Sequence, residues 1–208
     1  MPYGFLDIAS TPSVRAAQSA MGSDRVFENF RGDRAFDRFT PNEAAFIAAR
    51  DSFYMATVSE TGWPYVQHRG GPTGFLKVVD EKTLAFADYR GNRQYISVGN
   101  LAASGRAALI LVDYAARARL KIYAEVESVP IDGDLAALIT DPDYGARPER
   151  VIVARLAAFD WNCPQHIPPR FPSAEVSAAM TPLRDRLMPE NRLEGAANVL
   201  IFAQAEAA

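Results

Sequence analysis

Between Arg119 and Val129 apolar and polar side chains alternate. Leu120, Ile122, Ala124 and Val126 fall on one side of the chain, and Arg119, Lys121, Tyr123, Glu125 and Glu127 on the other. A period of two marks a strand with one buried face. Shorter runs rich in β-branched and aromatic residues surround it. Phe53 to Val58 predicts a strand, Ser59-Glu60-Thr61-Gly62 a hairpin turn, and Trp63 to Arg69 the return strand, with Pro64 near its start where a missing N–H is tolerated. Gly70-Gly71-Pro72-Thr73-Gly74 breaks the chain before Phe75 to Val79, and Asp80-Glu81-Lys82-Thr83 turns it into Leu84 to Ala87. Ala107 to Val112 is apolar throughout, as a central strand would be, and Val151 to Leu156 completes the set.

Helical signals are fewer. Thr40-Pro41-Asn42-Glu43 has the form of a capping box with proline at the first helical position, and the helix it starts turns Phe46 and Ile47 inward. Thr11-Pro12-Ser13 caps a short helix through Val14 and Ala17. Further helices are expected near residues 94–103, 132–140 and 173–187. The last carries Val176, Met180, Leu183 and Leu187 as an apolar stripe, expected to pack on the sheet or across a dimer. Six or seven short strands joined mostly by turns predict a mainly β, α+β fold built on an antiparallel barrel or sandwich. A Rossmann sheet would need regular strand–helix alternation and a glycine-rich first turn, and both are missing. Residues 1–39 read as an N-terminal helical extension, whose Phe27, Phe30, Phe36 and Phe39 are too many to leave in water. Residues 40–208 read as one domain with a C-terminal loop and helix.

Composition narrows the classes of function. The 208 residues are 49% hydrophobic, which suits a globular domain of ordinary size and excludes a disordered chain. Against 25 acids stand 22 bases, a net charge of −3 that argues against a nucleic-acid partner. No apolar run reaches the roughly 18 residues of a membrane span. The first residues lack the basic start and apolar stretch of a secretory signal, so a cytoplasmic location is expected. Cys163 is the single cysteine, and with His166 three residues on it finds no second pair of ligands in zinc spacing. No metal is expected. Asp141-Pro142-Asp143-Tyr144 and Glu149-Arg150 read as turn chemistry and solvated charge.

The most informative stretch is Phe86-Ala87-Asp88-Tyr89-Arg90-Gly91-Asn92-Arg93-Gln94-Tyr95-Ile96-Ser97. A strand ends in a polar turn with two arginines, and a helix follows with Ile96 and Leu101 expected inward. Free N–H groups and partial positive charge at a helix N-terminus, with Arg93 as a two-pronged clamp and Asn92 as a neutral donor, suit a phosphate. Gln67-His68-Arg69-Gly70-Gly71-Pro72 closes the second strand, and its glycines permit close backbone approach to a ligand.

The order of these elements resembles the FMN-binding split barrel of the pyridoxamine 5′-phosphate oxidase family, over the run from Phe53 to Val129. Phe86-Ala87-Asp88-Tyr89 takes the place of that family's aromatic-Thr-Asn-Tyr pattern. Gly91-Asn92-Arg93 takes the place of its Ser-Arg-Lys turn, so that Arg93 matches one basic residue and Asn92 replaces the other. Leu101-Ala102-Ala103-Ser104-Gly105-Arg106 is similar to the family's Leu-Ala-x-Asn-Pro-Arg passage. Ala118-Arg119-Leu120-Lys121-Ile122-Tyr123-Ala124 is a looser echo of its Arg-Gln-Val-Arg-Ile-Glu-Gly strand. Gly71-Pro72-Thr73-Gly74-Phe75 matches a run found in the family's FMN-binding offshoots.

The resemblance implies an antiparallel split β-barrel and a homodimer with FMN at the subunit interface. It places Gln67, His68, Arg69, Asp88, Tyr89, Asn92, Arg93 and Gln94 around the cofactor, with His68 and Arg69 facing the N1–C2 edge of the ring. Arg119, Lys121, Trp161 and Arg170 would arrive from the twofold-related chain. Phe159 to Phe171, with three prolines, is expected to form a stiff loop after the last strand. The implied activity is that of a flavin-dependent oxidoreductase acting on a small molecule, although no base or nucleophile in the sequence fixes a reaction. Two other functions stay open: a flavin- or haem-type binding module without turnover, and a deazaflavin (F420) reductase.

Overall fold

The computed structural model describes residues 4–23 and 35–187; Phe27 and Phe30 lie outside them. Alternation becomes strand in each predicted place: β1 (Ser52–Val58), β2 (Pro64–Gly70), β3 (Lys77–Asp80), β4 (Thr83–Tyr89), β5 (Arg106–Asp113), β6 (Ala118–Val129) and β7 (Pro148–Asn162). They form one sheet in the order β2-β1-β5-β6-β7-β4-β3, with every neighbouring pair antiparallel. β2 and β3 end the sheet and do not pair with each other, so the barrel is split rather than closed.

The inner face carries the core. Phe53 and Met55 of β1, Leu109 and Leu111 of β5, Leu120 and Ile122 of β6, and Leu84 and Phe86 of β4 are buried together with Phe159 and Ile47. β4 and the first half of β7 are buried on both faces, because α5 (Gly133–Ile139) covers Ala85, Ala87, Val151 and Val153 from outside. β5 is central in the sheet, yet its outward Ala108, Ile110 and Val112 are only partly covered.

β7 is longer than its apolar run predicts, and Phe159, Asp160 and Trp161 lie on the strand rather than in a loop. The cause is a bulge: Ala124 pairs with Leu156 and Tyr123 with Ala158, so Ala157 is the extra residue that breaks the period of two. Beyond Asn162 the chain leaves the sheet.

Four helices precede or interrupt these strands besides α5. α1 (Gly4–Ala9) was not expected, and it buries Phe5 flat against Tyr123, ring centroids 4.5 Å apart. α2 (Pro12–Ala20) starts at the Thr11 cap. α3 (Pro41–Ala48) carries both halves of the Thr40/Glu43 capping box and buries Ile47. Phe36 and Phe39 lie against Phe159, giving the described part of the phenylalanine-rich arm its place. α4 (Ile96–Ser104) ends at Gly105, in the left-handed region with φ 63°. No described helix is long and apolar enough to cross a membrane.

By contact the chain divides into two compact units, residues 1–168 and 169–208. In the second unit, α6 (Ser173–Leu187) carries exposed Val176, Met180 and Leu183.

Candidate functional site

Strand alternation decides what the end of β2 can do. Gln67 and Arg69 turn to the inner face, while His68 points out beside its cross-strand neighbour Tyr54, ring centroids 5.4 Å apart. His68 and Arg69 thus lie on opposite faces of β2. On β4 the buried row Leu84, Phe86 continues into Asp88, and on β7 the row Ala154, Ile152 continues into Arg150, the direct partner of Asp88. The apolar core thus gives way, at one end of the barrel, to a buried charged layer.

A small cavity of about 50 Å³ opens on this layer. Gln67, Arg69, Asp88, Tyr89, Asn92 and Arg93 line it, and so do Tyr95, Ser97 and Glu149. Asp88, 5% exposed, accepts a hydrogen bond from Arg69 Nη1 at Oδ1, and its Oδ2 lies 3.6 Å from Arg150 Nε. Glu149 accepts from the Tyr95 hydroxyl at 3.2 Å and from Arg150 Nη2 at 3.3 Å, with Arg90 Nε 3.9 Å away. In the wall Arg69 and Arg93 balance Asp88 and Glu149 in formal charge, and Arg90 and Arg150 stand behind it on Glu149 and Asp88. Burial, together with Tyr144 and Asp141, pushes the Tyr89 phenol above its usual range, so it stays a neutral donor.

The turn is held in an unusual shape. Arg93 (φ 63°) and Tyr95 (φ 53°) both adopt the left-handed region, at about 1–3 kcal/mol each for residues other than glycine. Tyr95 is the N-cap of α4 and offers no side-chain cap, and Ser97 of the first turn is buried, donating to Gln67 Oε1 at 3.1 Å. Leu101 faces in as expected, whereas Ile96 is 39% exposed; Ser97 and Asn100 face in beside Leu101, Asn100 through a 3.0 Å bond to Thr57. The buried Arg69 Nε has no hydrogen-bond partner among the described residues. An unpartnered buried donor, a second arginine and an uncapped helix N-terminus on one small cavity fit a phosphate group.

The other expected residues lie elsewhere. Gln94 exchanges hydrogen bonds with Asn92 within the turn. Arg119 and Lys121 point out from β6; the buried Arg119 Nε has no hydrogen-bond partner among the described residues, and Lys121 binds Asp160 at 2.9 Å and lies 4.5 Å over the Phe5 ring. The Trp161 indole N–H donates to Glu43 Oε1 at 2.8 Å, with Phe46 edge-on to its ring. Arg170 belongs to the second unit. Lys121 instead borders an apolar groove of about 220 Å³ on the outer face, together with Phe5, Tyr54, Val66, Ile110 and Tyr123.

Sequence reasoning missed Tyr95, Ser97, Glu149 and Arg150. The last two read as solvated charge, yet they lead directly into the apolar run Val151 to Ala154, and that position was the available signal. Among the described residues no cluster of metal-ligating side chains occurs, and Cys163 is exposed.

The pyridoxamine 5′-phosphate oxidase family model matches residues 39–162. No curated protein sequence matches the chain. Among solved structures, HupZ of Group A Streptococcus is 14% identical, over 64% of this chain and all of its own, with a TM-score of 0.49. An FMN-binding protein of Syntrophomonas wolfei is 13% identical over 73% of this chain and 95% of its own, with a TM-score of 0.46. A protein related to general stress protein 26, from Clostridium acetobutylicum and of the pyridoxinephosphate oxidase family, is 16% identical over 65% and 94%, with a TM-score of 0.39.

Proposed function

The chain belongs to the pyridoxamine 5′-phosphate oxidase family, and from that premise we propose that it binds FMN and serves as a flavin-dependent oxidoreductase for a small molecule. The observation that carries this reading is the buried Arg69 Nε, without a hydrogen-bond partner among the described residues, on a cavity that Arg93 also lines. Arg69 and Arg93 would hold the phosphate by charge-assisted hydrogen bonds, with the first N–H groups of α4 behind them. Bound FMN supplies the electron and hydride transfer; the chain contributes binding, orientation and local charge. Arg119, whose buried Nε is also unpartnered, would reach the cofactor of the twofold-related chain in a homodimer.

The test is titration of the apoprotein with FMN, followed by fluorescence quenching, with riboflavin and F420 as parallel ligands. FMN binding is expected, and Arg69→Gln should weaken it about tenfold or more, the worth of a hydrogen bond to a charged group. Absence of FMN binding overturns the reading. Stopped-flow reduction of the FMN complex by NADH or NADPH, with turnover, separates an oxidoreductase from a binding module. A second reading rests on His68, a histidine beside Tyr54 on the apolar outer face, which is suited to an axial haem ligand. A Soret band that His68→Ala abolishes would establish it.

A further inference from the structure

Asp88 is expected from the sequence to touch the cofactor, but its surroundings assign it another task. It is 5% exposed, and each of its oxygens is already taken by a guanidinium group, Oδ1 by Arg69 and Oδ2 by Arg150. A carboxylate so placed offers a phosphate only repulsion. Its partners lie on distant parts of the sheet. Arg150 is its neighbour across the β4–β7 ladder, whereas Arg69 sits on β2, at the opposite end of the sheet order from β4. The Arg69–Asp88 pair thus crosses the seam where the barrel is split. Ser97 and Gln67 fasten the same edge strand to α4.

That crossing fixes the direction of Arg69. A guanidinium group is planar, and anchoring one terminal nitrogen on a carboxylate leaves it little freedom to rotate. Its Nε is then presented buried and without a partner. We propose that Asp88 is a positioning residue, which grips Arg69 across the seam, braced by Arg150, and so aims Nε at a phosphate monoester in the cavity. The inference rests on the FMN reading of that cavity.

Positioning and plain electrostatics predict opposite signs. Removing a carboxylate beside the site makes it more positive, so charge alone would tighten FMN. Loss of positioning loosens it. The experiment measures dissociation constants of FMN, riboflavin and inorganic phosphate for the wild type, Asp88→Asn, Asp88→Glu and Arg150→Gln. Asp88→Asn should weaken FMN and phosphate about tenfold and leave riboflavin, which lacks the phosphate, unchanged. Arg150→Gln should also weaken FMN, by charge and by positioning together. Asp88→Glu, which keeps the charge and moves the carboxylate, should weaken FMN severalfold with riboflavin unchanged, and it decides the matter if Asp88→Asn does not fold. FMN affinity that is equal or higher in the variants overturns the proposal. Equal weakening of FMN and riboflavin also overturns it, since that reports a merely structural role. A wild type that binds neither FMN nor phosphate overturns the cofactor reading and this inference together, whereas tight wild-type binding with unaltered variants overturns the inference alone.

Discussion

Glu43 accepts hydrogen bonds from the Thr40 N–H at 2.9 Å, from the Thr40 hydroxyl and from the Trp161 indole at 2.8 Å. Burial pushes its carboxyl up, but these donors outweigh it and hold the group below the usual carboxylate range. A carboxyl depressed in the folded state stabilises the protein above its unfolded value, about 4.3, and that stability is lost as pH falls through the folded value. Trp161→Phe keeps most of the ring and deletes one donor. It should cost about 1–2 kcal/mol at pH 7 in urea denaturation, and the deficit should shrink near pH 3 as Glu43 protonates. An equal deficit at both pH values would assign the loss to packing. The capping box was legible because Thr40 and Glu43 are three residues apart. The Trp161 bond was not, since it closes a loop of more than a hundred residues and no local pattern records it. Arg69 and Arg93 were legible as anion-binding side chains, whereas Asp88 and Arg150 gain meaning only when β2, β4 and β7 come together.

Among elements, those that a period of two marks were readable, and the departures have identifiable causes. β7 runs past its predicted end because Ala157 bulges and shifts the side-chain phase. The inward face of α4 was partly misjudged because apolar Ile96 was favoured over Ser97 and Asn100, whose polar groups find partners only on β1 and β2. The break before β3 was read correctly from its glycines, and one of them is required. Gly74 has φ +76°, donates to Arg50 O at 2.9 Å, and would place a Cβ 3.0 Å from Ala48 O. Left-handed backbone and a close carbonyl act in the same direction, and the carbonyl belongs to the end of α3. Gly74→Ala should therefore lower stability by about 1–3 kcal/mol, read as a lower midpoint in thermal denaturation. An unchanged midpoint would mean that the turn re-forms with another shape at no cost.

For the whole molecule the question is what covers the outer face of β2, β1, β5 and β6. The register sets Tyr54 beside His68 and Ile110, and Ala56 beside Val66 and Ala108, so apolar side chains run unbroken across four strands to Tyr123. Val66 is 59% exposed, Val58 and Tyr54 are also exposed, and the groove among these side chains is apolar. A contiguous apolar face on a sheet is an interface in waiting, and scattered exposure would not produce it. Arg119 and Lys121 rise from the same face, so a twofold axis through it would carry them toward the related chain and make the two sites interdependent. An isologous contact there should bury on the order of 2,000 Å². Such a dimer would persist on dilution to nanomolar protein. Val66→Lys puts a charge on an exposed apolar position of that face, on its edge strand β2, yet it touches neither the core nor the Arg69 cavity. The expected result is a folded monomer by analytical ultracentrifugation, with FMN affinity reduced alongside the loss of dimer. A variant that sediments as a monomer and still binds one FMN per chain at full affinity would show each cavity to be complete within its own chain, and the role assigned to Arg119 would fall.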